Sequence, residues 1–154
     1  MIPACRRAVV SALSVGIAHR ELKVLRDGFA LDEHALVAEE VPSPRGPGNA
    51  AFLEVECAHV TEVFTAVGEK ATPAETVARA VVDEAQASLH HGQPVGEHLA
   101  DQLLAPMSLA PGSVFRTGRL SSHTRTNLEG VARFIPLSQR VAELPGGGVE
   151  IALG

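Results

Sequence analysis

An α/β (α+β) fold is predicted for this 154-residue chain by three features. Short apolar runs bounded by Gly and Pro alternate with single segments of helical period. Near Leu53, apolar and acidic residues alternate as they do on a half-buried sheet. Between Pro73 and Leu89, apolar residues instead recur at every third or fourth position. Strands separated by lone helices are the material of α/β and α+β domains.

Each element has its own signal. Residues 7–15 contain the run AVVSALSV and are expected to form a strand. Residues 17–29 change period: Ile17, Leu22, Leu25 and Phe29 share a helix face, and Gly28 loosens its end. Residues 34–41 are read as a second strand, stopped by the breaker-rich loop PSPRGPGNA. The third strand is expected over 51–57, with Leu53, Val55 and Cys57 alternating with Glu54 and Glu56. A fourth, 61–67, follows a tight connection. Residues 73–89 carry the clearest helical stripe: Ala74, Val77, Ala78, Val81, Val82, Ala85 and Leu89, with Pro73 suited to the first turn. HHGQP then breaks the chain and places a domain boundary near Gly92. Beyond it are expected a helix at about 96–109, a short strand at 113–116 and a helix at 127–134. A hairpin then pairs 137–144 with 149–153 across a Gly-rich turn.

Composition narrows the function classes. At 16.1 kDa the chain has room for one ordinary domain or two small ones. Cys5 and Cys57 exclude a disulfide-rich secreted scaffold and match no metal spacing. They read as a terminal thiol and a strand-core thiol. Arg6 and Arg7 are followed by no long apolar run, so neither a signal peptide nor a membrane span is expected, and a cytoplasmic location is. A net charge of -5 argues against a general nucleic-acid coat, which would carry a basic stripe. It does not argue against recognition of a single nucleic-acid end. Five Phe with no Tyr or Trp leave few platforms for base stacking.

The stretch from Val95 to Asn127 holds most of the candidate chemistry. Asp101 and Gln102 stand in an otherwise apolar helical segment, where Leu99, Leu103 and Met107 share a face and His98 lies off it. An aspartate accepts from a ribose hydroxyl or an adenine amine, or coordinates magnesium, and a glutamine amide hydrogen-bonds from either side. A solvated helix face is the plainer reading of the same pair. About twenty residues on, His123 sits in a Ser121-Ser122-His123-Thr124 lead into the next helix. There Thr126 is placed as N-cap, with Glu129 completing a capping box. Such a position favours anions and a neutral imidazole, which is what a nucleophile toward a nucleotide α-phosphate needs. A loop histidine bonded to its neighbours is the alternative.

Weaker signals are few. Gly46-Pro47-Gly48-Asn49 has the look of an anion nest but lacks the Lys-Ser/Thr of a phosphate loop, so a plain turn is expected. His90-His91 has no third ligand in view, and Gly68-Glu69-Lys70 reads as a strand exit. Arg116, Arg119 and Arg125 cluster near His123 in sequence, to meet phosphates or simply to be solvated.

Together these segments resemble the C-terminal portion of the RNA 3'-terminal phosphate cyclases. The matching motifs are GPGN at 46–49, FxxxGE at 64–69, AExVA at 74–78 and VGEHLADQLLxPMxLA at 95–110. They continue with GSVF at 112–115, SxHTxTN at 121–127 and FIP at 134–136. They occur in the family's order over nearly the whole chain, and the long motif at 95–110 followed by SxHTxTN is the specific part.

The resemblance implies a fold: residues 1–92 as a small inserted α/β domain of about four strands and two helices. Residues 93–154 would be one partial βαβαββ-type unit of the cyclase large domain. It also implies ATP-dependent conversion of an RNA 3'-phosphate to a 2',3'-cyclic phosphate through a histidine–AMP adduct. His123 would be the nucleophile, and His98, Asp101 and Gln102 would line the nucleotide pocket. ATP and Mg2+ would be the cofactors, the ion easing departure of pyrophosphate. Two further large-domain units, with a Gly-rich segment, a glutamate and several arginines, have no counterpart here. The chain is therefore expected to need those N-terminal units or a partner chain, and an uncovered sheet allows a homo-oligomer. Met1-Ile2-Pro3-Ala4-Cys5 reads as a start inside a longer gene, and Lys70-Ala71-Thr72 replaces the Arg-Gly usual after GE. Three functional readings follow: a truncated or split cyclase, an inactive remnant, or a non-catalytic RNA-processing relative acting in ribosome assembly. Retention of His123, Asp101 and Gln102 speaks against the third.

Overall fold

The computed structural model describes residues 2–30, 35–42, 45–57 and 60–154, with side chains from residue 6 onward. It has an α/β fold whose contacts divide into two compact units, Met1–Ala87 and Ser88–Gly154. His34, in the expected second strand, and Ser43-Pro44, in the loop after it, lie outside the described residues, as does the Cys5 side chain.

The first unit contains β1 (Ile2–Ser11), α1 (Gly16–Phe29), β2 (Leu36–Glu40), β3 (Gly48–Glu56), β4 (Thr61–Val67) and most of α2 (Ala74–His91). Its sheet runs β2-β1-β3-β4. α1 connects the parallel pair β1 and β2, while β3 and β4 add antiparallel strands. Alternation decides the buried face. Ala8 and Val10 of β1, Ala51, Leu53 and Val55 of β3, and Phe64 of β4 are buried with Leu22 and Leu25 of α1 and Val77, Val81 and Val82 of α2. Most of these side chains are small, so the helices approach closely.

Several local expectations change. β1 begins five residues earlier than the expected strand and stops at Ser11, because pairing with β3 carries it back to Ile2 through a register shift between Pro3 and Cys5. Proline is tolerated at such an irregularity. Gly28 does not loosen α1; it lies inside the helix. A Cβ there would stand 2.8 Å from Val82 Cγ1, so the glycine is needed for close packing against α2. Cys57 is not a strand-core thiol: β3 ends at Glu56, and the half-exposed Cys57 donates its amide to the Val60 carbonyl. Pro73 stands one residue before α2, accepting the helix's first backbone bond from Val77. α2 ends at His91, and Gly92 follows with a φ of +62° that suits glycine. The boundary expected near Gly92 compares with a division between Ala87 and Ser88, inside α2.

The second unit contains α3 (Glu97–Ser108), β5 (Ser113–Thr117), α4 (Ser122–Phe134), β6 (Gln139–Glu143) and β7 (Val149–Leu153). β7 is central and antiparallel to both neighbours, giving the order β5-β7-β6. Val95 makes a single parallel bridge to Thr117. The succession bridge, α3, β5, α4, β6, β7 is thus a βαβαββ pattern whose first strand is reduced to one residue. Ala100 and Leu104 of α3, Leu128 of α4, Phe115 of β5, and Ile151 and Leu153 of β7 form its core. The core face of α3 is centred on Ala100 and Leu104. Leu99, expected on that face, is 38% exposed, while Leu103 and Met107 pack at its margin. Among the described residues no helix is long and apolar enough to cross a membrane.

Candidate functional site

The site is organised by the start of α4. That helix begins at Ser122, and its N-cap is Ser121, whose Oγ accepts from the Thr124 amide at 2.9 Å. The capping box expected at Thr126 and Glu129 is therefore displaced. Thr126 lies inside the helix and donates its hydroxyl to the Ser122 carbonyl at 2.9 Å, a back-bond one turn earlier. His123 consequently does not precede the helix; it is the second residue of its first turn. The physical reason is a contact distant in sequence. Asp101 Oδ1 accepts from Ser121 Oγ at 3.2 Å and from the Thr124 hydroxyl. A carboxylate from α3 thus rewards the earlier start.

His123 is exposed, between two buried and anchored neighbours in the capping turn, Ser121 and Thr124. The first turn of a helix leaves N–H groups, here those of Ser122 and His123, without intrahelical acceptors. Together with the helix dipole they make this end hospitable to a phosphate. Arg119 and Arg125, both exposed, lie two residues to either side of Ser121 and His123 respectively.

The residues contributed by α3 sit on one stripe. His98 and Gln102 are one turn apart, and Asp101 is three residues after His98, so the three flank one another on the helix surface. Asp101 is half-buried, turned to α4, whereas His98 and Gln102 are exposed. Packing of α3 on α4 joins this stripe to the turn bearing His123 through the Asp101 hydrogen bonds. Among the described residues no group of three His, Cys, Asp or Glu could cage a metal ion.

The other candidates fall elsewhere. His90 and His91 end α2 as an edge-to-face pair with ring centroids 6.1 Å apart. Arg116 is on the sheet face opposite Phe115 and Thr117, paired to Glu150 at 3.0 Å, so it does not join the His123 turn. Gly46 and Gly48 are not among the positive-φ glycines, and Gly48 and Asn49 already belong to β3, paired with Ser11 and Val10.

Two features escaped the reading of residues. One is the pairing of Ser121 and Thr124 with Asp101; their three-residue spacing was the available signal. The other is Glu21, wholly buried in the first unit. Its Oε1 accepts from the Asn49 amide, while Oε2 has no hydrogen-bond partner. Burial raises the Glu21 carboxyl above the usual 4.5; the Asn49 bond and Arg20 oppose this, and Glu75 adds to it. A Cβ on Gly68 would fall 2.1 Å from Asn49 Oδ1, so GPGN and FxxxGE meet here in packing.

Comparison with known proteins bears on the whole assembly. The family model described as RNA 3'-terminal phosphate cyclase matches residues 5–141. The protein of that name from Pseudomonas aeruginosa strain UCBPP-PA14 is 35% identical over 147 residues, which is 96% of this chain and 43% of the relative. That of Ectopseudomonas mendocina strain ymp is 38% identical over 128 residues, 83% of this chain and 38% of the relative. That of Salmonella enteritidis PT4 is 42% identical over 130 residues, 84% of this chain and 38% of the relative. The chain spans less than half the length of these curated relatives. The match nevertheless runs through both units and includes α3 and the His123 turn, and the chain belongs to the RNA 3'-terminal phosphate cyclase family.

Proposed function

We propose that this chain carries the adenylylated histidine of an RNA 3'-phosphate cyclase. Residues 1–92 would be the inserted domain and residues 93–154 the last unit of the catalytic domain. The observation that carries this reading is an exposed His123 in a helical first turn that Asp101 holds through Ser121 and Thr124. A neutral imidazole nitrogen attacks the ATP α-phosphorus; the P–N bond forms as the bond to the β-phosphate oxygen breaks and pyrophosphate leaves. An oxygen of the RNA 3'-phosphate then takes the adenylyl group, releasing the imidazole. The vicinal 2'-hydroxyl attacks the activated phosphate, loses its proton and expels AMP, closing the 2',3'-cyclic phosphate. His98, Asp101 and Gln102 are assigned to the nucleotide pocket. ATP is proposed as the adenylyl donor, and Mg2+ held chiefly by its phosphates would ease departure of pyrophosphate.

A chain covering 43% of a relative is proposed to work with N-terminal cyclase units or a partner chain, in the cytoplasm. Positioning and charge stabilisation supply most of the rate in phosphoryl transfer, and half a pocket supplies little of either. Mixed with ATP and magnesium, the isolated chain is expected to form little or no AMP adduct. With N-terminal units supplied, an acid-labile adduct is expected that disappears in His123→Ala and persists in His91→Ala. Mass spectrometry of the labelled peptide decides; an adduct on any residue but His123 overturns the assignment. Absence of an adduct even with those units favours an inactive remnant.

A further inference from the structure

We infer that Asp101 acts on His123 as a positioning residue: its carboxylate gathers the Ser121 and Thr124 hydroxyls and so locks the turn that carries the imidazole. This deepens the reading of His123 as nucleophile and rests on it. A helix N-cap needs only Ser121 Oγ and the Thr124 amide, which are already joined at 2.9 Å. The carboxylate from α3 is an addition that capping does not require.

Counting protons shows what it adds. Ser121 Oγ, Thr124 Oγ1 and Asp101 Oδ1 form a triangle in which the two hydroxyls are 2.9 Å apart. Two hydroxyl protons serve three contacts: when both hydroxyls donate to the carboxylate, Asp101 Oδ1 accepts both and the contact between the two hydroxyl oxygens carries no proton. Ser121 is 8% exposed and Thr124 1%. Water therefore competes poorly for these donors, and breaking the triangle leaves buried polar groups unpaired. His123 is one residue from Thr124 and two from Ser121. Its backbone is pinned on both sides while its ring stays exposed. A nucleophile displaced by about 1 Å loses on the order of 10²-fold in rate, so a fixed turn has a catalytic consequence.

The test compares Thr124→Val and Asp101→Ala with Thr124→Ser and Asp101→Asn in the full chain. Serine keeps the hydroxyl, and asparagine keeps an acceptor oxygen without the charge. In histidine-labelled chain, NMR is expected to show the His123 imidazole resonances shifted and broadened in Thr124→Val and Asp101→Ala. They should lie at their original positions in Thr124→Ser and Asp101→Asn. His123 resonances unmoved in Thr124→Val overturn the inference. So do His123 resonances unmoved in Asp101→Ala, because the turn would then hold its place without the side chain from α3. Should Asp101→Ala fail to fold, the Thr124 pair decides alone. With N-terminal units supplied, Thr124→Val is expected to lower the adenylylation kcat on the order of 10²-fold. The KM for ATP should stay near its original value, and Thr124→Ser should recover most of the rate. An equal change in KM and kcat/KM with kcat preserved contradicts the inference. If the unsubstituted chain forms no adduct under these conditions, the nucleophile reading fails, and the resonances still decide whether Asp101 positions the turn.

Discussion

The side-chain amide of Asn49 donates to a carboxylate oxygen of Glu21 that is closed off from solvent, inside the first unit. The other Glu21 oxygen has no partner, so its charged form is poorly solvated there. Burial accordingly raises the carboxyl above 4.5. The folded chain then holds a proton more firmly than the unfolded chain. Stability is fully present below the unfolded value and is lost as pH rises through the raised folded value. Glu21→Gln is therefore expected to be more stable than the parent at about pH 8, with the difference shrinking toward about pH 5. Urea unfolding, followed through amide exchange in α1 and β3, measures it. A difference independent of pH contradicts the prediction.

Asn49 and Gly68 are expected to act on the same buried group. Asn49→Ala removes the amide and leaves Glu21 buried without it, costing about 1–3 kcal/mol, more at high pH than at low. Gly68→Ala drives a methyl to within 2.1 Å of Asn49 Oδ1 and displaces that side chain. Combined in one chain, the two substitutions should cost less than their sum, since both break one contact. Strict additivity in chemical denaturation would show the contact to be unimportant.

Gly28→Ala is expected to destabilise the first unit although alanine is the better helix former by about 1 kcal/mol. The added methyl would meet Val82 at 2.8 Å, and overpacking of this kind costs about 1–3 kcal/mol. Val82→Ala in the same chain should relieve the clash and recover part of the loss. Thermal unfolding of the two single variants and the double variant tests it; a stabilised Gly28→Ala protein contradicts it.

The competing starts of α4 separate by substitution. Ser121→Ala removes the observed cap and is expected to cost about 1 kcal/mol. Thr126→Ala removes only a back-bond to Ser122 and should change stability by less than about 0.5 kcal/mol. The reverse order, read from denaturation midpoints, would restore the helix start at Asn127.

Local pattern determined much of this protein. The change of period after Val15, the strand at Thr61–Val67 and the stripe of α2 are properties of neighbouring side chains and backbone preferences. They are legible without knowing what lies opposite, and the order of motifs points to one family. The start of α4 was not legible in the same way. Ser121 and Thr126 are both competent caps by local chemistry, and the choice falls to Asp101, twenty residues earlier, whose carboxylate is near only one of them once α3 packs on α4. Gly28 likewise looks like a helix breaker until Val82 is beside it, and Glu21 like a solvated charge until β3 brings up Asn49. Periodicity reports which face a residue prefers. Which partner it meets there depends on contacts between distant segments, and those exist only after the chain has folded.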